Sequence, residues 1–89
     1  MNISLNDILD KTKIIYIRTS IEYNKYHYPG SVNITRMILL KNPEKYINKN
    51  SKYYLLCSKG LLSNKTANIL NALGYNCYSI TGGIVSIKR

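Results

Sequence analysis

Two short runs in this chain are apolar at every position, and they govern the reading of the rest. Ile14-Ile15-Tyr16-Ile17 and Tyr53-Tyr54-Leu55-Leu56-Cys57 are built from β-branched, aromatic and aliphatic residues. Each is too short for a helix, and neither alternates with polar residues, which is the pattern of a strand covered on both faces. Briefer strands are predicted from Val32 to Ile34 and from Cys77 to Ile80. Between them the hydrophobic period lengthens to that of a helix. Leu5, Ile8 and Leu9, behind Ser4 and Asp7, predict a short opening helix ending near Lys11. Thr19 or Ser20 caps a turn or two through Ile21, Glu22 and Tyr23, closed by Pro29-Gly30 because proline disfavours helix in its predecessor. The stretch from Thr35 to Leu40 has mixed apolar character, and Pro43 can start a helical turn reaching Tyr46 and Ile47. Ser63 has the character of an N-cap before an apolar stripe of Ala67, Leu70 and Leu73, with Ile69 beside them and Gly74 as a C-cap. Gly82-Gly83 mark a tight turn, after which Ile84, Val85 and Ile87 pack a last short helix.

Strands that alternate with helices predict an α/β fold, a small mostly parallel sheet with helices on both faces and its active edge at the strand carboxyl ends. Eighty-nine residues accommodate one hydrophobic centre, so a single domain over residues 1–89 is expected.

Charge alters this picture little. The formal net charge of +9 suggests an anionic partner. Yet isoleucine (13), asparagine (11), lysine (10) and tyrosine (9) make up nearly half the chain, the bias that AT-rich codons impose on solvent-facing positions. The lysines are scattered from Lys11 to Lys88 and arginine occurs three times, so specific nucleic-acid binding is not expected. The nine tyrosines fall mainly on strands and helix faces, where packing explains them. Met1 to Asp10 lacks a positive segment followed by an apolar run, and no stretch reaches membrane-spanning length, which points to the cytoplasm and away from membranes. Two cysteines are too few for a disulfide framework, so both are expected as thiols. One histidine, two separated cysteines and four acidic residues provide no metal-ligand cluster, and no cofactor is expected.

The chemistry concentrates in Cys57-Ser58-Lys59-Gly60-Leu61-Leu62-Ser63, which joins a buried strand directly to a helix. Such a junction rings the thiol with backbone N–H groups, and together with the positive helix end these favour thiolate over thiol. Gly60 lets the backbone curl around the sulfur, and Lys59 adds attraction for an anion. A cysteine ending an apolar strand is also, and more commonly, a small buried hydrophobe. On residue pattern alone, nucleophile and core filler stand as equal alternatives.

Four motifs, in order from Ile3 to Ile87, resemble the rhodanese family. Ile15-Tyr16-Ile17-Arg18-Thr19 with Glu22-Tyr23 is similar to the family's strand-Asp-Val-Arg-then-Glu-Tyr opening. His27-Tyr28-Pro29-Gly30-Ser31-Val32-Asn33-Ile34 is close to its His-Ile-Pro-Gly-Ala-Xaa-Asn-Ile signature. Tyr54-Leu55-Leu56-Cys57-Ser58-Lys59-Gly60 with Ser63 matches its active-site strand and Cys-Xaa-Xaa-Gly-Xaa-Xaa-Ser loop. Leu73-Gly74-Tyr75 and Thr81-Gly82-Gly83-Ile84 match its closing Gly-Tyr and Gly-Gly segments. The resemblance implies a sulfurtransferase in which Cys57 takes a sulfane sulfur from a small anionic donor such as thiosulfate or polysulfide. It then carries that sulfur as a persulfide and passes it to cyanide, a thiol or a protein acceptor. It also implies that the backbone of Ser58 to Leu62 forms the persulfide cradle, and that Lys59 sits where some thiosulfate-using members carry a basic residue. Three positions depart from the pattern. Tyr16 replaces an aspartate and Leu62 a frequent arginine, leaving the pocket less polar, and Ile87 stands where a tryptophan often follows, a matter of packing.

Arg18 and Glu22 are spaced to pair near the sheet end, in a supporting role. His27 is expected to fasten its loop by hydrogen bonding, and Cys77, set within a strand, to be an inert thiol. A monomer or weak dimer is expected. Two other functions compete with sulfur transfer. A phosphatase or arsenate reductase of related fold needs a longer loop closed by an arginine, which neither Leu62 nor Ser63 supplies. A non-catalytic binding module would work through its basic surface and tolerate loss of the Cys57 thiol.

Overall fold

The computed structural model describes residues 2–87. The two fully apolar runs form the centre of the sheet: β2 (Ile14–Tyr16) lies beside β4 (Lys52–Leu56), with Ile15 opposite Leu55. Beyond β4 comes β5 (Asn76–Ile80), then the edge strand β1 (Asn2–Ile3); beyond β2 lies β3 (Val32–Asn33). The order is β1-β5-β4-β2-β3 and every pairing is parallel. Parallel neighbours require crossovers, and the chain supplies them as 3-10 turns at Leu5–Asp7 and Lys11–Lys13, then α1 (Ser20–Lys25), α2 (Arg36–Lys41) with a 3-10 turn at Pro43–Lys45, and α3 (Leu61–Ala72); α4 (Gly83–Ile87) follows the last strand.

Alternation along the strands sorts the side chains into two cores. Ile15, Ile17, Leu55, Cys57 and Cys77 point to one face, where Leu39 of α2 and Ala67 and Leu70 of α3 cover them. Ile14, Tyr16, Leu56 and Ile80 point to the other, covered by Ile8 and by Ile84 of α4. This double burial is why the central strands are apolar without interruption.

The amino-terminal segment differs from the expected helix. Asn2 and Ile3 pair with Ser79 and Ile80 as a parallel edge strand, and the following residues make two separate 3-10 turns. Ser4 makes no side-chain cap, while Asp10 caps the second turn by accepting from the Thr12 amide at 3.0 Å. Of the presumed helical stripe, Ile8 is buried but Leu9 is 97% exposed, so the spacing was coincidental. The helix after the cysteine begins at Leu61 with Gly60 as its N-cap, not at Ser63, and its Ile69 and Leu73 face outward, leaving Ala67 and Leu70 as the buried stripe. The stretch of mixed character from Thr35 onward is the helix α2, with Leu39 inward and Met37 and Ile38 exposed. In α4 Ile84 is buried and Val85 half exposed; the side chain of Ile87 lies outside the described residues.

The first turn of α4 clamps the cysteine loop. The amides of Ile84 and Val85 donate to the carbonyls of Cys57 (2.7 Å) and Ser58 (3.0 Å). Gly83, at φ +63°, makes this approach possible: a Cβ there would lie 2.5 Å from the Ser58 carbonyl oxygen and 2.6 Å from that of Cys57, both rigid backbone atoms. Gly83→Ala should therefore lift α4 off the loop and destabilise the fold by about 2 kcal/mol or more, measured as a lower urea midpoint. An unchanged midpoint would show that the clamp carries no load.

Candidate active site

The site is assembled where β4 runs out. Ile17 donates its amide to the Leu56 carbonyl at 3.0 Å, prolonging the ladder with β2 up to the residue before the cysteine. The chain then turns sharply, and Gly60, at φ +93°, redirects it into α3 in a conformation that a side chain would strain. With the Cys57 and Ser58 carbonyls drawn backward to α4, loop amides face the sulfur. Those of Gly60 and Ser63 each donate to Cys57 Sγ at 3.2 Å, and the Ser63 hydroxyl lies 3.3 Å from it. Sγ thus sits at the amino end of a 12-residue helix, where unpaired N–H groups and the helix dipole favour negative charge. The cap expected of Ser63 is corrected by this geometry. It occupies the first helical turn, fully buried, and its hydroxyl turns to the sulfur and to the Gly60 carbonyl.

Cys57 is only 1% exposed, yet it forms the floor of a pocket of about 360 Å³ lined also by Arg18, Ser58, Lys59, Leu61 and Leu62. Arg18 is presented there by a set of restraints. Its Nε pairs with Glu22 at 3.2 Å, its Nη1 donates to Ser58 Oγ at 2.9 Å, and Asn33 Nδ2 donates to the carbonyls of Arg18 (2.9 Å) and Tyr16 (3.0 Å). Glu22 is itself fixed by the Thr19 hydroxyl, at 3.1 Å, at the cap of α1. The pairing read from the spacing of Arg18 and Glu22 is present, and it aims a guanidinium at the pocket that the loop, with Leu62, does not provide. Lys59 is exposed on the pocket rim.

Tyr16 stands on the other side of Ser58, in a neighbouring pocket of about 270 Å³ with Glu22, Lys25, Tyr26 and Ile84. Burial, and next the Glu22 charge, push its phenol above the usual tyrosine value. Residues beyond those singled out in the sequence also support the loop. Arg36 Nε donates to Thr66 Oγ1 at 2.9 Å, which in turn donates to the Leu62 carbonyl at 2.8 Å. Ser79, 1% exposed on β5, meets the Ser63 hydroxyl at 2.6 Å. The signal for Ser79 is a hydroxyl between Tyr78 and Ile80 in the apolar part of β5, since a buried polar group requires a partner.

His27 stacks on Tyr23 at 3.9 Å and its Nδ1 is 2.7 Å from the Tyr23 carbonyl, which fastens the loop after α1. Cys77 is opposite Tyr53 in the β4–β5 register, four residues short of Cys57. That separation is roughly 13 Å along the strands, beyond the Cα distance of about 7 Å that a disulfide spans. Among the described residues no cluster of histidine, cysteine or acidic side chains could hold a metal ion, and no helix is long and apolar enough to cross a membrane.

Comparison with known proteins identifies the family and the fold. The family model described as "Rhodanese-like domain" matches residues 2–89. Among solved structures, a protein from Staphylococcus saprophyticus subsp. saprophyticus is similar with a TM-score of 0.76 at 27% identity, over 82% of this chain and 72% of that one. A rhodanese-like domain protein from Staphylococcus aureus gives 0.72 at 28% identity, over 80% and 69%. The solution structure of a protein from Helicobacter pylori shares the fold with a TM-score of 0.78 at 24% identity, over 98% and 81%. No curated protein matches the chain.

Burial pushes the Cys77 thiol up from 9.0 to about 11. Iodoacetamide at neutral pH should therefore modify Cys57 alone in the native protein and both cysteines in urea, read by peptide mass. The folded state holds the Cys77 proton more tightly than the unfolded chain. Its contribution to stability is thus whole below pH 9 and is lost as the pH rises through about 11. Urea denaturation across that window should show a fall in wild type that is smaller in Cys77→Ala; equal slopes would contradict it.

Proposed function

The chain belongs to the rhodanese-like domain family, which includes sulfurtransferases, and from that premise we propose that it transfers sulfane sulfur through a persulfide on Cys57. One arrangement carries the reading: two main-chain amides and a hydroxyl converge on Sγ at the floor of an open pocket with a fixed guanidinium on its wall. An apolar filler needs none of these donors. A thiolate, present before the attack and restored when the sulfur is handed on, needs them.

The proposed step balances as a displacement at sulfur. The Cys57 thiolate attacks the outer sulfur of a small anionic donor such as thiosulfate. The donor S–S bond breaks and sulfite leaves with the electron pair, so the cysteine becomes a persulfide anion. Cyanide, a small thiol or a protein thiol then attacks the terminal sulfur and returns the thiolate. No cofactor enters either step. The amides of Gly60 and Ser63 hold the inner sulfur, and the concavity from Ser58 to Leu62 receives the outer one. Arg18 and Lys59 draw the donor and neutralise the departing oxyanion. Because the chemistry starts from a free thiolate, we assign the protein to a reducing compartment such as the cytoplasm.

A phosphatase reading is less well supported. It requires a loop guanidinium wrapped around a tetrahedral oxyanion, and Leu62 occupies the position from which the loop would supply it.

Intact mass after exposure to thiosulfate or polysulfide, without reductant, tests the proposal. One added sulfur atom is expected in wild type and Cys77→Ser and none in Cys57→Ser; no uptake by wild type from either donor refutes it. Arg18→Ala should keep Cys57 alkylatable while raising KM for thiosulfate roughly tenfold or more, the scale of one charge-assisted hydrogen bond lost. Equal KM values would remove Arg18 from donor binding.

A further inference from the structure

Ser79 projects from β5 toward the face covered by α3, a face otherwise built from residues such as Leu55, Ala67, Leu70 and Cys77. Burying a hydroxyl among such side chains is costly unless it is bonded, and the partners of this one are both in the cysteine loop. Its Oγ lies 2.6 Å from Ser63 Oγ and 3.3 Å from the Gly60 carbonyl oxygen. Ser63 Oγ is in turn 3.2 Å from the same carbonyl and 3.3 Å from Cys57 Sγ. We propose that Ser79 is a positioning residue for the reactive sulfur, acting through Ser63: it frees the Ser63 hydroxyl to donate to Cys57 Sγ when that sulfur is anionic. This deepens the transfer reading, because it concerns the anion which that reading requires.

The hydrogens can be counted. With Cys57 as a thiol, its S–H donates to Ser63 Oγ, and Ser63 donates to the Gly60 carbonyl. With Cys57 as a thiolate, no S–H remains and the Ser63 hydroxyl must reverse to donate to sulfur. The Gly60 carbonyl then keeps the Asn64 amide at 3.1 Å but loses its second donor. Ser79 donates to Ser63 Oγ across 2.6 Å in both states, so the reversed hydroxyl still has a donor when the S–H is gone. Two hydroxyls thus let one loop satisfy both charge states with little movement of its atoms. Preorganised donors that need only rotate add little reorganisation cost.

The ionisable groups around the loop are Tyr16 and Arg18 at the end of β2, Glu22 and Lys25 on α1 with Tyr26 behind it, Arg36 on α2, Lys59 in the loop and Lys65 on the exposed side of α3. Cys77, on β5, is four residues from the level of the sulfur. Ser79 substitutions leave all of these groups in place.

The measurement is the rate of Cys57 alkylation by iodoacetamide against pH, followed by intact mass. Ser79→Ala should move the midpoint of the profile upward by roughly half to one pH unit while thermal unfolding stays cooperative. Ser79→Thr, which restores the hydroxyl, should return it toward wild type. If the alanine variant does not fold, Ser79→Thr against the isosteric Ser79→Val makes the same comparison. In Ser63→Ala the further change Ser79→Ala should add nothing, because the two act in series. A midpoint unmoved by Ser79→Ala, or displaced equally by the threonine and valine variants, overturns the proposal. The readout does not involve a sulfur donor: a shifted profile with no sulfur uptake in wild type would sink the transfer reading and leave this inference standing.

Discussion

The sulfur of Cys57 has almost no contact with solvent, so the protein must supply what water would otherwise provide. A negative charge there is tolerable only if hydrogen-bond donors are already in place, since isolated charge in a packed interior is heavily penalised. The amides of Gly60 and Ser63 meet that need, and much of the surrounding structure maintains their direction. Main-chain donors suit the task because they carry no side-chain freedom to lose and cannot titrate.

Turning amides inward turns carbonyls outward, and those must also be satisfied. Here the amino end of α4 accepts the task, binding the carbonyls of Cys57 and Ser58. The loop is therefore held between two helix beginnings, one facing the sulfur and one behind it. Sequence-distant residues complete the frame: Asn33 on β3 ties the end of β2, and Arg36 on α2 steadies the first turn of α3 through Thr66. The pocket is hydrogen-bonded on its floor and open on its rim, where Lys59 and Leu61 are exposed.

Much of this was legible in the sequence, for identifiable reasons. Ile14 to Ile17 and Tyr53 to Leu56 declared themselves because a strand buried on both faces leaves no polar positions. Thr19 and Glu22 declared α1 through a local cap that the structure retains at 3.3 Å from the Glu22 amide. What escaped depends on contacts between distant segments. The strand at Asn2 and Ile3 exists only through its pairing with Ser79 and Ile80, and two residues carry no period. Ser63 fitted a cap pattern, but the left-handed Gly60 takes the chain into the helix earlier and sends the serine inward. The loop cysteine could not be told from a core cysteine by pattern, since it is as buried as one; the direction of two amides makes the difference.

The separation of the two cysteines has a consequence under oxidative stress. A sulfenic acid formed on Cys57 finds no second thiol of its own chain within reach, because Cys77 is held four residues away on the neighbouring strand. Recovery must come from an outside thiol entering the pocket. The lifetime of the damaged form is then set by the abundance of such molecules and their passage past Arg18 and Lys59, not by any rearrangement within the protein.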